Sequence, residues 1–461
     1  MKQEVIAASV DLWSNILSQP PSSNVNDIWK DHLRICETLD LIEEHQIKYH
    51  FDEDRLSKLN DFQNWADKLG IKYDGVAVKE TEMGLSLVAK EDFPSDAIVV
   101  KVPRNAIFYI LGTDQVVRSV DHVGLALILA NEMLKPASKW KEYLSILPPS
   151  YSTPLFFSKE QLQQMKPSPA FEESVLMFRT VARHFIYFFM RLVSEKNLSK
   201  NKRKILQNAP FARTSLNLQN FTFDLYKWCV STVSTRINMI PSLIMDGENE
   251  LQTRMVPSLI PFMDLANHAR KSTNPGSVYF DVETDSVDLQ LKSSVDSGTE
   301  IFIYYGARTN RKFFVHNGFV PEEVNPDDFY ELRLGLPKNE NSFWKFEWLE
   351  KKEIVLDRNF YIFRLYQQEI EQGTLESPGL SRLLEFSKTF VAQNVEDLSQ
   401  AENNEKSTKF LTDRIRLLLL GYKDLPSQEG QEDDLISKFI WRLKNSEKKI
   451  LEGLLEILSH K

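Results

Sequence analysis

The sequence predicts an α+β protein: a β-fold of short strands, split by a helical insertion, with a helical extension before it and a helical domain after it. Three observations carry this expectation. Strand texture occurs twice, at 75–108 and from Pro257 to about 335. The ~150 residues between have helical periodicity, and so long a gap inside one fold is an insertion rather than a loop. Helical periodicity also fills both ends of the chain. The expected segments are an N-terminal helical extension at 1–70, a β domain at 71–335 with its insertion at about 120–235, and a helical C-terminal domain at 336–461.

In the first segment, "VNDIWKDHLRICETLDLIEEH" places Ile28, Leu33, Cys36, Leu39 and Ile42 at helical spacing. "LSKLNDFQNWADKLG" repeats the pattern and stops at Gly70, a common residue just past a helix end. The texture then becomes β-branched and short-period, punctuated by Gly75, Gly84, Pro94 and Pro103, which predicts three or four short strands. Helices are expected at "VGLALILANEMLK", "WKEYLSIL", "PAFEESVLMFRTVARHFIYFFMRLVSE" and "FTFDLYKWCVSTVSTR". In the last of these, Leu225, Trp228, Cys229 and Val233 share a face. Downstream, "SVYFDVETDSVDLQLKSSV" predicts a hairpin turning near Glu283–Ser286, "TEIFIYYG" a strand, and "TNRKFFVHNG" a short helix closed by Gly318. From about Phe343 the chain reads as mostly helical. The charged stretches 194–204 and 427–434 read as solvated loops.

Composition narrows the function. A formal charge of −9 argues against a nucleic-acid binder that neutralises phosphates along a broad surface. Two cysteines, Cys36 and Cys229, cannot build a disulfide framework or a Cys-rich zinc cluster. No stretch approaches ~18 consecutive apolar residues, so no membrane span is expected. Glu4 and Asp11 interrupt any leader-like start. The expected compartment is the reducing cytosol, with the nucleus as an alternative.

Chemistry concentrates in a few places. "LIPFMDLANH" follows an apolar run with Asp264, Asn267 and His268. Buried polar groups are costly unless hydrogen-bonded, so this is either a capped turn or the wall of a site that binds something polar. Metal-type spacing is absent, as are a G-x-S-x-G elbow, a phosphate loop and a dinucleotide fingerprint. Further on, "IFIYYGARTNRKFFVHNGFV" ends a strand with Tyr304 and Tyr305 before Gly306. Upstream, "STRINMIP" brings Arg236 and Asn238 out of a helix before Pro241, and "EMGLSLVA" lies among the first strands. Each has an ordinary structural reading when taken alone.

Together and in order, these segments resemble the SET-domain protein methyltransferases. "EMGLSLVAKEDFPSDAIVVKVPR" corresponds to the first strands, "LIPFMDLANH" to the Asn-His segment, and "IYYGARTN…NGFV" to the closing tyrosine segment. The likeness covers about 70–335. "FDEDR", "WKEYLSILPPSYSTPLFF" and "TRINMIP" resemble the subfamily with a helical insertion and a helical C-terminal domain, which includes Rubisco methyltransferase. Within it the chain is most similar to the actin-histidine enzymes.

The resemblance implies a SET fold and S-adenosyl-L-methionine as cofactor, with no metal. It implies cofactor binding by Arg55, Thr81, Glu82, Met83, Arg236, Asp264, Leu265, Ala266, Asn267, His268, Asn317, Gly318 and Phe319. It makes Tyr305 and Asn238 catalytic and places Met263, Ile303 and Arg308 in the substrate pocket. The implied activity is histidine N-methylation of actin by a monomer. The alternatives are a lysine methyltransferase of the same subfamily and a non-catalytic interaction protein. Asn238 points to histidine, because a carboxamide can hydrogen-bond one imidazole nitrogen and the lysine-methylating relatives are apolar there. Met263 stands where the actin-histidine enzymes carry Trp, and Asn317 where they carry Ser.

Overall fold

The computed structural model describes residues 2–81, 83–110, 121–196, 214–245, 251–337, 342–357, 359–373, 377–430 and 434–459. Near the N-terminus, helices form at Gln3–Leu12, Val25–Glu43 and Leu59–Leu69. Asn24 caps the second by accepting from the Asn26 amide at 2.8 Å, satisfying one of the donors a helix start leaves open. The buried stripe of this helix is Ile28, His32, Ile35, Leu39 and Ile42. Leu33 and Cys36, expected inside, are only half-buried. The stripe advances by alternating steps of four and three residues, and that period brings His32 and Ile35 inward. His32 is stacked on Trp29 (5.1 Å) and meets Phe178 edge-on (4.7 Å).

The strand region contains β1 (Val76–Thr81), β2 (Gly84–Ala89), β3 (Ile98–Pro103) and β4 (Phe108–Tyr109). After the helices Asp121–Leu134, Lys141–Ser145, Ala170–Lys196 and Phe223–Arg236 come β5 (Asn238–Met245), β6 (Leu251–Leu259), β7 (Ser277–Asp281) and β8 (Ser286–Gln290). The sheets are small and antiparallel: β1-β2, β3-β8-β7 and β4-β6-β5. The two strand regions therefore meet across the helical insertion. The β7–β8 hairpin turns where expected.

Two segments differ from expectation. Strand structure, expected only from Pro257, begins earlier: the chain leaving Arg236 runs through Pro241 as β5, and β6 starts at Leu251, with Asn238 opposite Ser258 and Met245 opposite Leu251. Proline is tolerated because β5 is an edge strand. Pro257 is tolerated because β4 pairs β6 only at Ser258 and Leu259. "TEIFIYYG" does not join a ladder. It makes single bridges, Glu300 to Val88 and Ile303 to both His268 and Gly276, because it passes between separate neighbours.

The chain forms two compact units. The first comprises Met1–Phe156, Ser174–Gly306 and His316–Gly318. Its core includes Phe62, Tyr143, Phe185, Trp228, Phe262 and Met263, so the N-terminal helices share one core with the strands. Leu225, Trp228, Cys229 and Val233 are all buried on their helix.

The second unit comprises Phe157–Glu173, Ala307–Val315 and Phe319–Lys461. It holds a sheet the periodicity reading did not anticipate, β10-β11-β9, from β9 (Phe329–Leu334), β10 (Leu356–Asp357) and β11 (Phe360–Tyr366). In β11, Tyr361, Phe363 and Leu365 face inward. Helices Pro378–Val391, Ala401–Leu420 and Leu435–Ser459 cover a core that includes Phe386, Leu411, Ile450 and Leu454. Of the expected charged loops, residues 197–204 and 431–433 lie outside the described residues.

Candidate active site

β6 delivers its apolar run into the core and then turns sharply at Phe262, whose φ of +65° is unusual for a residue with a side chain. Its ring stacks on Tyr73 (4.2 Å) and Phe62 (4.9 Å), and this packing holds the unfavourable backbone. A 3₁₀ turn, Met263–Leu265, follows and points the Asp264 carboxylate into the protein, where it is fully buried.

Two groups meet that carboxylate. The Tyr143 hydroxyl donates to Oδ2 at 2.5 Å. Arg236, the last residue of its helix, donates from Nη1 to the Asp264 carbonyl at 2.5 Å and lies 3.8 Å from Oδ2. Burial opposes the Arg236 charge, but Asp264 and the surrounding phenols outweigh it, and the pKa is raised. Burial pushes the Asp264 carboxyl upward, and Arg236 and the Tyr143 hydroxyl hold it back. Tyr151 adds a bond to Thr232 at 2.8 Å. Buried Nε of Arg236 and Oδ1 of Asp264 have no hydrogen-bond partner within the protein. Unpaired polar atoms in such a place cost free energy.

Beside this cluster the Asn-His segment lies parallel to the tyrosine segment. The Ile303 amide donates to the Asn267 carbonyl at 2.8 Å, and the Ala269 amide to the Ile303 carbonyl at 3.0 Å. Asn267 uses Nδ2 to bind both Ser86 Oγ and Glu300 Oε1, each at 2.7 Å. Its amide nitrogen thus ties β2 to the tyrosine segment, and its Oδ1 is the atom oriented for a further partner. The Tyr305 amide donates to His268 Nδ1 at 3.2 Å, which places the ring proton on Nε2. The Tyr305 hydroxyl donates to the Ala266 carbonyl at 2.9 Å, so its ring is fixed at both ends.

Other expected residues gather around the same unit. Arg55 donates from Nε to the Ile146 carbonyl at 2.7 Å. Burial and the neighbouring Arg236 charge lower its pKa to about 10. A side chain at Gly84 would approach Arg55 Nη1 at 3.5 Å. Thr81 Oγ1 receives the Met83 amide at 3.3 Å and meets Ser86 Oγ at 2.9 Å, while the Met83 side chain is exposed. Glu82 lies outside the described residues. Asn317 is half-buried. Ser234 and Ser152 flank it by donating to the His316 carbonyl (2.8 Å) and the Gly318 carbonyl (2.6 Å). Gly318 has φ +79°, and a Cβ there would come within 3.0 Å of the Ser152 backbone.

Asn238 opens β5. Its Nδ2 donates to the Arg236 carbonyl at 3.3 Å, and its own carbonyl accepts from Ser258 Oγ at 3.1 Å. The amide oxygen is therefore the end directed away from Arg236. Met263 is completely buried and backs the site from the core, while Ile303 is buried between His268 and Gly276. Arg308 and Phe319 belong to the second unit. There the Arg308 carbonyl accepts from Asn325 at 2.8 Å, and Phe319 packs its ring 5.0 Å from Phe313.

Sequence reasoning missed Tyr143, Tyr151, Ser86, Glu300, Ser152 and Ser234. Tyr143 carries the one local signal: a tyrosine at a buried helical position needs a partner for its hydroxyl, whereas Phe does not. The others are ordinary polar residues until the fold juxtaposes them. Among the described residues, no group of three or more His, Cys, Asp or Glu side chains is placed to hold a metal ion, and no helix is long and apolar enough to cross a membrane.

No protein-family model matches the chain. It is 26% identical to the actin-histidine N-methyltransferase of Homo sapiens over 482 aligned residues, covering 96% of this chain and 76% of that protein. The corresponding enzyme of Danio rerio is also 26% identical, over 92% of this chain and 72% of its own length. Among solved structures, Rubisco LSMT bound to AdoMet superposes with a TM-score of 0.64 at 18% identity, covering 87% of this chain and 92% of that one. The SET domain of LSMT bound to lysine and AdoHcy gives a TM-score of 0.64 at 19% identity, over 88% and 92%. The fold is that of the SET domain.

Proposed function

On this SET fold, we propose that the protein is an S-adenosyl-L-methionine-dependent protein-histidine N-methyltransferase whose substrate is actin. The curated relatives, similar over nearly the whole chain, bear that name, and the donor set fits the cofactor. Arg236 and Arg55 supply cationic donors for its carboxylate, a type of contact worth about 1.5–3 kcal/mol. The carbonyl oxygen of Asn267, His268 and the backbone of 264–266 and 317–318 supply the polar wall for its ammonium and adenine. The cofactor brings an electrophilic methyl group on a sulfonium centre. The aromatic face of Tyr305, pinned through its hydroxyl and its amide, favours a cation beside it.

The observation that carries the choice of histidine is the orientation of Asn238. Its amide nitrogen is committed to the Arg236 carbonyl, which presents the oxygen to an incoming group. An imidazole N–H donated to that oxygen leaves the other ring nitrogen, with its lone pair, for methylation. Histidine is mostly neutral at pH 7, given a free pKa of about 6.5, so no general base is needed before transfer. A lysine ammonium would first have to lose a proton. The proton left on the methylated ring is shed to solvent afterwards. Binding of the acceptor in near-attack geometry is the main contribution required of the protein.

The test is transfer from tritiated S-adenosylmethionine to purified actin, followed by amino-acid analysis. Methylhistidine is expected, and methyllysine would replace this reading with the lysine one. In Asn238→Phe the histidine reaction should fall about 5- to 150-fold, the cost of one unpaired buried nitrogen, with cofactor affinity unchanged. We place the enzyme in the cytoplasm, with the nucleus as alternative. Both cysteines are free thiols, which suits a reducing compartment, and cell fractionation checks the placement.

A further inference from the structure

A carboxamide has two unlike ends: its nitrogen only donates and its oxygen only accepts, and a half turn of the group exchanges them. Which end a ligand meets therefore depends on what holds the other. In Asn267 the nitrogen is held twice. Nδ2 donates to Ser86 Oγ and to Glu300 Oε1, each at 2.7 Å. Ser86 comes from β2 and Glu300 from the segment that leads to Tyr305, so two distant parts of the chain converge on one amide.

We propose that Glu300 and Thr81 are positioning residues that lock the Asn267 amide with its oxygen toward the cofactor ammonium, Glu300 by direct contact and Thr81 through Ser86. The inference rests on the cofactor reading given above and does not depend on which residue is methylated.

Glu300 is the first lock. A carboxylate offers acceptors only, so the amide must present its nitrogen there. The reversed amide would set two acceptor oxygens against each other. Neither side can easily draw back. The Ile301 amide donates to the Leu87 carbonyl at 2.8 Å, and the Ile303 amide donates to the Asn267 carbonyl at 2.8 Å.

The second lock is a chain of hydroxyls. A serine hydroxyl suits either end of an amide, because it can donate or accept. Here the choice is made further along. Thr81 Oγ1 donates to the Gly84 carbonyl at 3.2 Å, an atom that can only accept. Its one hydrogen is thereby used. Toward Ser86 Oγ, 2.9 Å away, Thr81 must accept, and it also accepts the Met83 amide at 3.3 Å. Ser86 thus gives its own hydrogen to Thr81 and has only lone pairs left for Asn267. Ser86 is completely buried, where a lost bond is costly. All these contacts are made at once only with this order of donors. Both locks demand the same amide orientation, and each backs up the other.

The experiment measures one ratio by calorimetry: affinity for S-adenosylhomocysteine against affinity for its analogue lacking the α-amino group. In Glu300→Met/Thr81→Val, Met keeps the length of Glu without a carboxylate, and Val keeps the shape of Thr without a hydroxyl. Ser86 is then free to donate to the Asn267 oxygen, and the amide can turn over. Wild type should prefer S-adenosylhomocysteine, and the double variant should lose about tenfold of that preference, with affinity for the analogue changed less than about twofold. Each single variant should lose less than about threefold, because the other lock remains. Glu300→Gln should keep the wild-type ratio, since its amide oxygen still accepts. Thermal melts without ligand report folding, and Glu300→Ala/Thr81→Ala, smaller at both positions, replaces the double variant should that one not fold.

An unchanged ratio in the double variant overturns the lock. So does an equal loss for both ligands, which would make these residues merely structural. A loss in Glu300→Gln as large as in the double variant overturns it too, because the carboxylate charge would then act on the ammonium directly. A single variant that loses as much as the double shows that the two locks do not back each other up, and refutes the arrangement. If wild type binds no S-adenosylhomocysteine at all, the cofactor reading itself fails, a result distinct from loss of the preference.

Discussion

Replacing Glu447 by Gln should make the protein more stable at pH 8 and flatten its stability between pH 5 and pH 8. Glu447 sits on the helix Leu435–Ser459, buried in the second unit. Ser168 Oγ donates to one carboxyl oxygen at 2.7 Å and the Tyr422 hydroxyl to the other at 2.8 Å. Burial is the largest influence and pushes its pKa from the ordinary 4.5 to about 7. The two hydroxyls oppose the rise, Asp328 adds to it and Arg311 reduces it. Tyr330 and Lys444 also feel the Glu447 charge.

A carboxyl with a raised folded-state pKa holds its proton more tightly in the folded protein. That contribution is complete below about 4.5, the unfolded value, and is lost as pH climbs through about 7. The shift corresponds to about 3 kcal/mol. A glutamine does not titrate, and the Ser168 and Tyr422 hydroxyls can rotate to suit its amide. At roughly 2–4 °C per kcal/mol, wild type and variant should differ by about 5–10 °C at pH 8 and much less at pH 5. Thermal melts of both proteins across that range decide it. Parallel pH profiles would refute the reasoning, since the group would then titrate alike in folded and unfolded chains.

Further outcomes follow from the site. Asn267→Ala removes the amide that bonds Ser86 and Glu300, so it should cost about 2 kcal/mol of stability as well as cofactor affinity. Melts and calorimetry measure the two separately. Arg236→Ala leaves Asp264 buried without its counter-charge and should destabilise by about 3–5 kcal/mol, whereas Arg236→Lys should keep much of the stability and still lose cofactor affinity. Gly318→Ala combines a positive φ with a 3.0 Å approach to the Ser152 backbone and should weaken cofactor binding and lower Tm. Methyl transfer should be indifferent to excess chelator, as read by tritium incorporation with and without it.

The sequence by itself determined the local structure and the order of the chemistry. Helical spacing delimited Phe223–Arg236 and its buried face, alternation located the β7–β8 hairpin, and the order of "EMGLSLVA", "LIPFMDLANH" and "IYYGARTN" announced a SET fold. Such features are readable because they depend on residues a few positions apart. β11 was legible in principle, since "FYIFRLY" alternates, but a short aromatic strand among helices is outweighed by its surroundings. β5 was not legible, because a strand tolerates a proline such as Pro241 at a sheet edge, and the tertiary structure decides which strand is the edge.

Only the tertiary structure decided which polar groups meet. Tyr143 and Asp264 are 121 residues apart and bonded at 2.5 Å, while Asn267 joins Ser86 to Glu300 across most of the domain. Nothing local encodes these contacts: each is the hydrogen bond a buried group must find once packing has removed it from water. The same burial makes Met263 a core residue behind the site, gives Asn238 its direction and raises the Glu447 pKa, because the dielectric around a group belongs to the fold rather than to its neighbours in sequence.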